Sequence, residues 1–345
     1  MSTSLNHVYN YVQLLNHLAR IIEQNGGKKP ELDLTDDEFR PHEITYLKLL
    51  LLMSYSRAFL DIGSRHTDLL FYLDVLSASG LSYTQDREDP IPGSCFVVPL
   101  AMQEFEHPEK PPSHGFSKVW VFDQNEKRLD AILERHQALQ NEAGLKLPEF
   151  EKVSDDANTS LVKIIDEIEK LTTARKSAGK RRPLTLAFID NIGLNVEMQT
   201  IADMQGRIRA DLIIHLPTSA IWRCVRAFQE AGQNEAILDR FFGDQSWKTI
   251  MNAQEVPATY NAAVRKATGE DFQDFDPVRI KGLKAEFSLC VYVRKTKGTQ
   301  KPYKPGWVNK IRSLADACNQ VDHDHFTNIQ AAVFDRQQSL GKWME

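Results

Sequence analysis

The chain has 345 residues, of which 42% are hydrophobic and 26% charged, and a formal net charge of −5. That composition fits a globular α/β chain of one large domain or two modest ones, with no global attraction to nucleic acid or membrane. The four cysteines (Cys95, Cys224, Cys290, Cys318) form no CxxC pair, which suits a reducing cytoplasm and argues against a zinc knuckle or disulfide framework. No basic segment followed by an apolar stretch opens the sequence, so no secretory leader is expected. The longest greasy run, LKLLLLM at 47–53, is too short to span a bilayer.

In chain order, apolar residues at helical spacing (Leu5, Val8, Val12, Leu15, Leu18, Ile22) predict a helix over 3–24, ended by Gly-Gly-Lys-Lys-Pro. A second helix is expected from His42 to Leu60. The core then begins with a buried strand at 69–74 ending in Asp74. A loop rich in Ser, Gly and Pro and the apolar segment CFVVPLAM come next. KVWVFD is the second core strand (118–123), then an amphipathic helix, NEKRLDAILERHQAL, and the strand FEKVSDD. A helix over 160–175 runs into the basic stretch KSAGKRR. LTLAFID (184–190) and ADLIIHLP (210–217) are further strands. Strand and helix alternating at these intervals predict a mainly parallel sheet. Residues 222–280 read as helical and irregular, AEFSLCVYVRK (285–295) as a late strand, and a terminal helix begins near Trp307. Three parts result: a helical segment (1–62), an α/β core (63–222) and a C-terminal extension (223–345).

Acids at the carboxyl ends of successive strands are what a doubly wound sheet sets around its ligand crevice. After Asp74 the small residues Ser77, Ala78, Ser79 and Gly80 let a backbone turn pass close to a ligand, or make a plain turn. A strict GxGxxG is absent, which argues against a pyrophosphate site. Asp123 suits a bidentate acceptor for ribose hydroxyls, or a helix N-terminal acid. Asp155, Asp156 and Asn158 suit an adenine edge, or a helix cap. Asp190 and Asn191 stand where a substrate-facing loop leaves the fourth strand and can accept from an amine or hydroxyl; a turn through Gly193 is the alternative.

The order of these motifs resembles that of the three-Cys-motif partner (TcmP) family. Asp74, Leu76, Ser77, Ala78 and Gly80, with Gly93-Ser94 later, are similar to its first motif, D-x-F-A-G-P-G and a G-S-P turn. FIDNIGL, the Pro217–Arg223 stretch and FFGDQSW are similar to its later ones. Ala78 and Ser79 stand where the family tends to Gly and Pro, and Asn191 where it tends to Pro. The resemblance covers residues 43–250. It implies a Rossmann-like, class I methyltransferase-type fold with a mainly parallel sheet, N-terminal helices and a helical or irregular C-terminal extension.

It also implies S-adenosylmethionine as cofactor, with Asp74, Ser77, Ala78 and Gly80 at its methionine end, Asp123 at the ribose, and Asp156 with Asn158 at the adenine. Asp190 and Asn191 would then be catalytic. The implied setting is a bacterial modification or phage-defence system, with a three-Cys-motif protein or another complex subunit as partner. Methyl transfer to nucleic acid or a nucleotide is one expectation; a non-catalytic scaffold or nucleic-acid-binding subunit is the other.

Two basic stretches are candidate phosphate contacts: Lys176–Arg182, and a late cluster of Lys295, Lys297, Lys301 and Lys304 with Trp307 for base stacking. His323, Asp324 and His325 are consecutive and share no helical face, so no metal site is expected. The HExxH, P-loop and GxSxG signatures are absent.

Overall fold

The computed structural model describes residues 3–35, 42–83, 90–103, 114–191, 193–269, 272–274, 277–281 and 286–294. Helices α1 (Thr3–Gly26) and α2 (His42–Ser64), with β1 (Leu34–Thr35) between them, precede β2 (Leu70–Val75). A small hairpin, β3 (Leu81–Tyr83) and β4 (Pro90–Pro92), leads to a one-turn helix α3 (Ser94–Val97). The alternating core is β5 (Lys118–Phe122), α4 (Glu126–Asn141), β6 (Glu149–Val153), α5 (Ala157–Ser177), β7 (Leu184–Asp190), α6 (Met198–Asp203) and β8 (Asp211–Leu216). A π-turn, Met204–Ile208, extends α6. Then come α7 (Thr218–Ala231), α8 (Glu235–Phe242), α9 (Val256–Thr268), β9 (Phe272–Asp274), β10 (Val278–Lys281) and β11 (Glu286–Arg294).

The main sheet has the order β6-β5-β2-β7-β8-β11-β10, with β9 also paired to β11. Strands β6 through β8 run parallel, and β11 is antiparallel to β8 and to β10. Counted from β2 and leaving out the hairpin strands and β9, this is the order 3-2-1-4-5-7-6 with the seventh strand reversed. That order defines the Rossmann-like, methyltransferase-type fold, and the late strand at 285–295 is its reversed strand. The expected helical and irregular stretch at 222–280 differs in part, since β9 and β10 lie within it. These strands are three and four residues long and form only by pairing with β11, a long-range contact that local pattern does not encode.

Both sheet faces are apolar because both are covered. Leu70, Tyr72, Val119, Val121, Leu186, Phe188 and Ile213 point to a core shared with α1, α2 and α4. Phe71, Leu73, Trp120, Phe122, Ala187, Ile189, Leu212 and Ile214 point to a second core with α5 through α9. The period of two in each strand also sets which face a polar side chain takes at the strand end. Asp74, Asp190 and His215 have the parity of Tyr72, Phe188 and Ile213, so all three face the α2 side of the crevice.

Among the described residues no helix is long and apolar enough to cross a membrane, Cys95 and Cys224 are free, and no group of three metal-capable side chains forms.

Candidate active site

The end of β2 is built around a close approach of two glycines. Gly93 donates its N–H to the Gly80 carbonyl at 2.8 Å, and a Cβ on Gly93 would fall 2.7 Å from the Gly80 Cα. This contact carries Ser94 to Asp74, its hydroxyl 2.9 and 3.0 Å from the two carboxylate oxygens. Asp74 is fully buried. Burial raises its pKa to about 7, the Ser94 hydroxyl opposes the rise, and the nearby Asp190 charge adds to it. The Tyr72 phenol and Cys95 thiol in the same pocket are also pushed up, chiefly by burial and then by Asp74.

The turn after β2 holds Leu76, Ala78 and Gly80 at φ of 73°, 53° and 82°. The left-handed conformation of Leu76 and Ala78 costs each about 1 kcal/mol that glycine would not incur. Such strain persists only where the surroundings impose it. Ser77 donates to the Asp74 carbonyl (2.6 Å), accepts from the Phe122 N–H (3.1 Å) and donates its own N–H to the Phe122 carbonyl (2.8 Å). Ser79 donates to Asp33 (2.7 Å), and the buried Arg135 joins Asp33 to the Ser79 and Gly27 carbonyls at 2.8–2.9 Å. The turn is thereby clamped to β5, to α4 and to the loop after α1.

At the end of β7, Asp190 lies beside His215 in register. Lys48 of α2 donates to Asp190 Oδ2 at 2.6 Å, and His215 Nδ1 lies 2.8 Å from Oδ1. The Phe287 ring meets the imidazole edge-on. Although burial works the other way, the Lys48 charge with His215 beside it holds the Asp190 carboxyl far below the usual range. The side chain retains 19% exposure, so it is an ionised acceptor that is not wholly enclosed. Asn191 is next in the chain, wholly buried, and neither its amide nitrogen nor its amide oxygen has a hydrogen-bond partner. An unpaired buried amide costs several kcal/mol if left so.

The remaining sequence candidates separate into two groups. Asp123 accepts from the Asn125 N–H with one oxygen (2.7 Å) and meets Arg128 loosely at 3.7 Å with the other, so acceptor capacity is left. Asp156 is the N-cap of α5, accepting from Thr159 N at 3.1 Å. The Asn158 oxygen accepts from Glu197 N and Thr200 (both 2.9 Å), and its nitrogen donates to Asn195 O at 3.0 Å. Asn158 thus ties α5 to the segment after β7, and nothing of its oxygen is left over for an adenine. Asp74 and Asp190 are brought together, with Asn191 adjoining; Asp123 stands at the neighbouring strand end. The Lys295, Lys297, Lys301, Lys304 and Trp307 cluster and the His323–His325 stretch lie outside the described residues.

Lys48 and His215 were not among the sequence candidates, and neither was the Asp33–Arg135 brace. Each had a signal: Lys48 is the one charge inside LKLLLLM, His215 the one polar residue of the run LIIHL, and Arg135 a cation on the stripe of Leu129, Ile132 and Leu139.

The sheet order defines a methyltransferase-type fold. No family model and no curated protein matches the chain. Among solved structures it is similar to protein LPL1258 from Legionella pneumophila, with 11% identity over 79% of this chain and 90% of that one and a TM-score of 0.40. It is also similar to Trm1 from Pyrococcus horikoshii, solved with S-adenosyl-L-methionine, at 12% identity over 72% of this chain and 54% of that one (TM-score 0.37). The small RNA methyltransferase HEN1 matches at 11% identity over 81% of this chain and 29% of its own length (TM-score 0.37).

Proposed function

We propose that the chain binds S-adenosylmethionine over the ends of β2 and β5 and directs a methyl group to an amine held at the end of β7. The observation that carries this reading is Asn191, a wholly buried amide with both polar atoms unpaired, next to the ionised Asp190. An ionised acceptor followed in the chain by an amide with a donor and an acceptor to spare suits the amine-and-ring-nitrogen edge of a nucleobase. The residues fit the cofactor at two of its three parts. The clamped turn 76–80 and Asp74 suit the amino-acid end, and Asp123 has a carboxylate oxygen to offer a ribose hydroxyl. Asn158 does not fit the adenine.

When bound, the cofactor supplies an electrophilic methyl on a sulfonium. The chain supplies position: Asp190 accepts an amine N–H and orients the nitrogen, while Asn191 fixes the neighbouring ring edge. Because Lys48 and His215 stabilise the Asp190 carboxylate, it is a weak base, and orienting the amine is the role its charge state suits. Lys48 and His215 are positioning residues that hold Asp190.

Calorimetric titration with S-adenosylmethionine and S-adenosylhomocysteine tests the binding half. Micromolar affinity lost in Asp123→Ala is expected. For transfer, tritium from labelled cofactor into bulk tRNA, rRNA or DNA is to be counted. Asp190→Ala and Asn191→Ala should lower incorporation at least a hundredfold with cofactor affinity nearly intact. Wild-type incorporation in both variants would remove this pair from the mechanism.

A second reading has its own support. Asp156 and Asn158 are spent on capping and bracing, and Ala78 occupies a left-handed position that suits glycine. On that reading the fold is a scaffold or nucleic-acid-binding subunit of a modification or defence complex, with a three-Cys-motif protein as partner. No heat at millimolar cofactor would favour it.

A further inference from the structure

At the opposite end of the sheet, the chain entering β2 and the chain entering β7 run side by side, with Leu184 N donating to Leu69 O at 3.0 Å. Here α2 and α5 both end, and a cleft of about 490 Å³ opens between them, lined by Arg65, His66, Asp68, Arg175, Lys180 and Arg181 among others. A six-residue strand separates it from the methyltransferase crevice by about 20 Å. No role in that crevice is open to it.

The charges in the cleft do not cancel. Asp61 is taken by Arg65 through two bonds of 2.8 Å, and Asp68 by Arg175, with Lys180 as a second, more distant cation near it. Lys176 and Arg182 are exposed on the same basic run, so cations outnumber acids here. A local excess of positive charge on a chain of net charge −5 runs against the global balance. Helix dipoles account for Arg175 and Lys176, which sit in the last turn of α5; they do not account for Lys180 and Arg181, which lie beyond it.

The guanidinium groups are also fixed in place. Arg181 Nη1 donates to the Arg65 and His66 carbonyls at 2.9 and 3.1 Å, and its remaining N–H groups are left for a ligand. Arg175 Nε donates to the Arg181 carbonyl at 2.7 Å, which holds the two arginines as a unit. Donors oriented before binding lose little entropy on meeting an oxyanion. The lining has no tyrosine, tryptophan or phenylalanine to stack on a base.

We infer that this cleft is a binding site for the phosphate backbone of a nucleic acid, engaged without sequence preference and physically separate from the methyltransferase crevice. The inference stands apart from the proposed methyl transfer. The test is fluorescence anisotropy of a labelled RNA of about 20 nucleotides with the full chain, between about 50 and 200 mM salt. Affinity should fall with salt as expected for about two or three neutralised phosphates, and be alike for unrelated sequences.

The charge reversal Lys176→Glu/Lys180→Glu should weaken binding at least tenfold and flatten the salt dependence. Lys163→Glu/Lys266→Glu, also exposed but elsewhere, should leave both unchanged. Arg181→Gln, checked for folding by circular dichroism, should reproduce the loss. Unchanged affinity in the cleft variants would overturn the inference. So would a cleft that takes inorganic phosphate, seen as calorimetric heat lost in the same variants, while RNA binding is unaffected by them.

Discussion

Two carboxylates on one side of the crevice are driven in opposite directions by their neighbours. Asp74 is buried with one neutral hydroxyl, and its pKa rises to about 7; Asp190 has a lysine and a histidine, and its pKa falls far below normal. Stability is tied to these shifts through linkage. A carboxyl whose folded pKa lies above its unfolded value of about 3.9 favours the fold below that value and weakens it as pH rises through the folded pKa. Asp74→Asn keeps an acceptor for Ser94 and does not titrate. The variant should therefore gain on the wild type between pH 4 and 7, by at most about 4 kcal/mol for a shift of about 3 units. Urea denaturation at pH 4.5 and pH 8 measures this, and a stability difference that is the same at both pH values would contradict it.

Among the elements, the turn 76–80 depends on parts far from it in sequence. Its backbone is held by Ser77 against β5 and by the Asp33–Arg135 pair, both side chains of which are essentially fully buried. A buried pair broken on one side leaves an uncompensated charge, at a cost of about 3–5 kcal/mol. Asp33→Asn is expected to lose that much in chemical denaturation and to weaken cofactor binding through the loosened turn. The double variant Asp33→Leu/Arg135→Leu should recover most of the stability, since a well-packed apolar pair replaces the ions, but not the turn geometry. Failure of the double variant to recover any stability would show that the pair is not the origin of the loss.

On the scale of the molecule, α2 is part of the candidate site as well as a cover for the sheet. Its apolar residues Leu49 through Met53 are buried, while Lys48 on the same helix reaches the end of β7. Binding at the crevice is thereby linked to the stability of the whole core. A ligand that binds only the folded state at a hundredfold its Kd adds about 2.7 kcal/mol. S-adenosylhomocysteine at that excess should raise the unfolding free energy accordingly. A cofactor whose saturating addition leaves the denaturation curve in place would support the scaffold reading.

The alternating strands, both apolar sheet faces and the acids closing β2, β5 and β7 were legible in the linear pattern, because strand periodicity and burial are local consequences of residue type. So was the position of Asn191, which comes directly after the end of β7. The state of these groups was not legible. Whether Asp123 is free to accept, whether Asn158 is already bonded, and which carboxylate is charged depend on residues distant in the chain; Tyr55 and Asp211, for example, bond across 156 positions. The same holds for Lys48, His215 and Arg135: the sequence by itself marked them as charges or polar groups interrupting apolar runs. Only the tertiary structure decided that two of them meet at Asp190 and the third at Asp33, because buried polar groups take their partners from whichever elements the packing brings within hydrogen-bond reach.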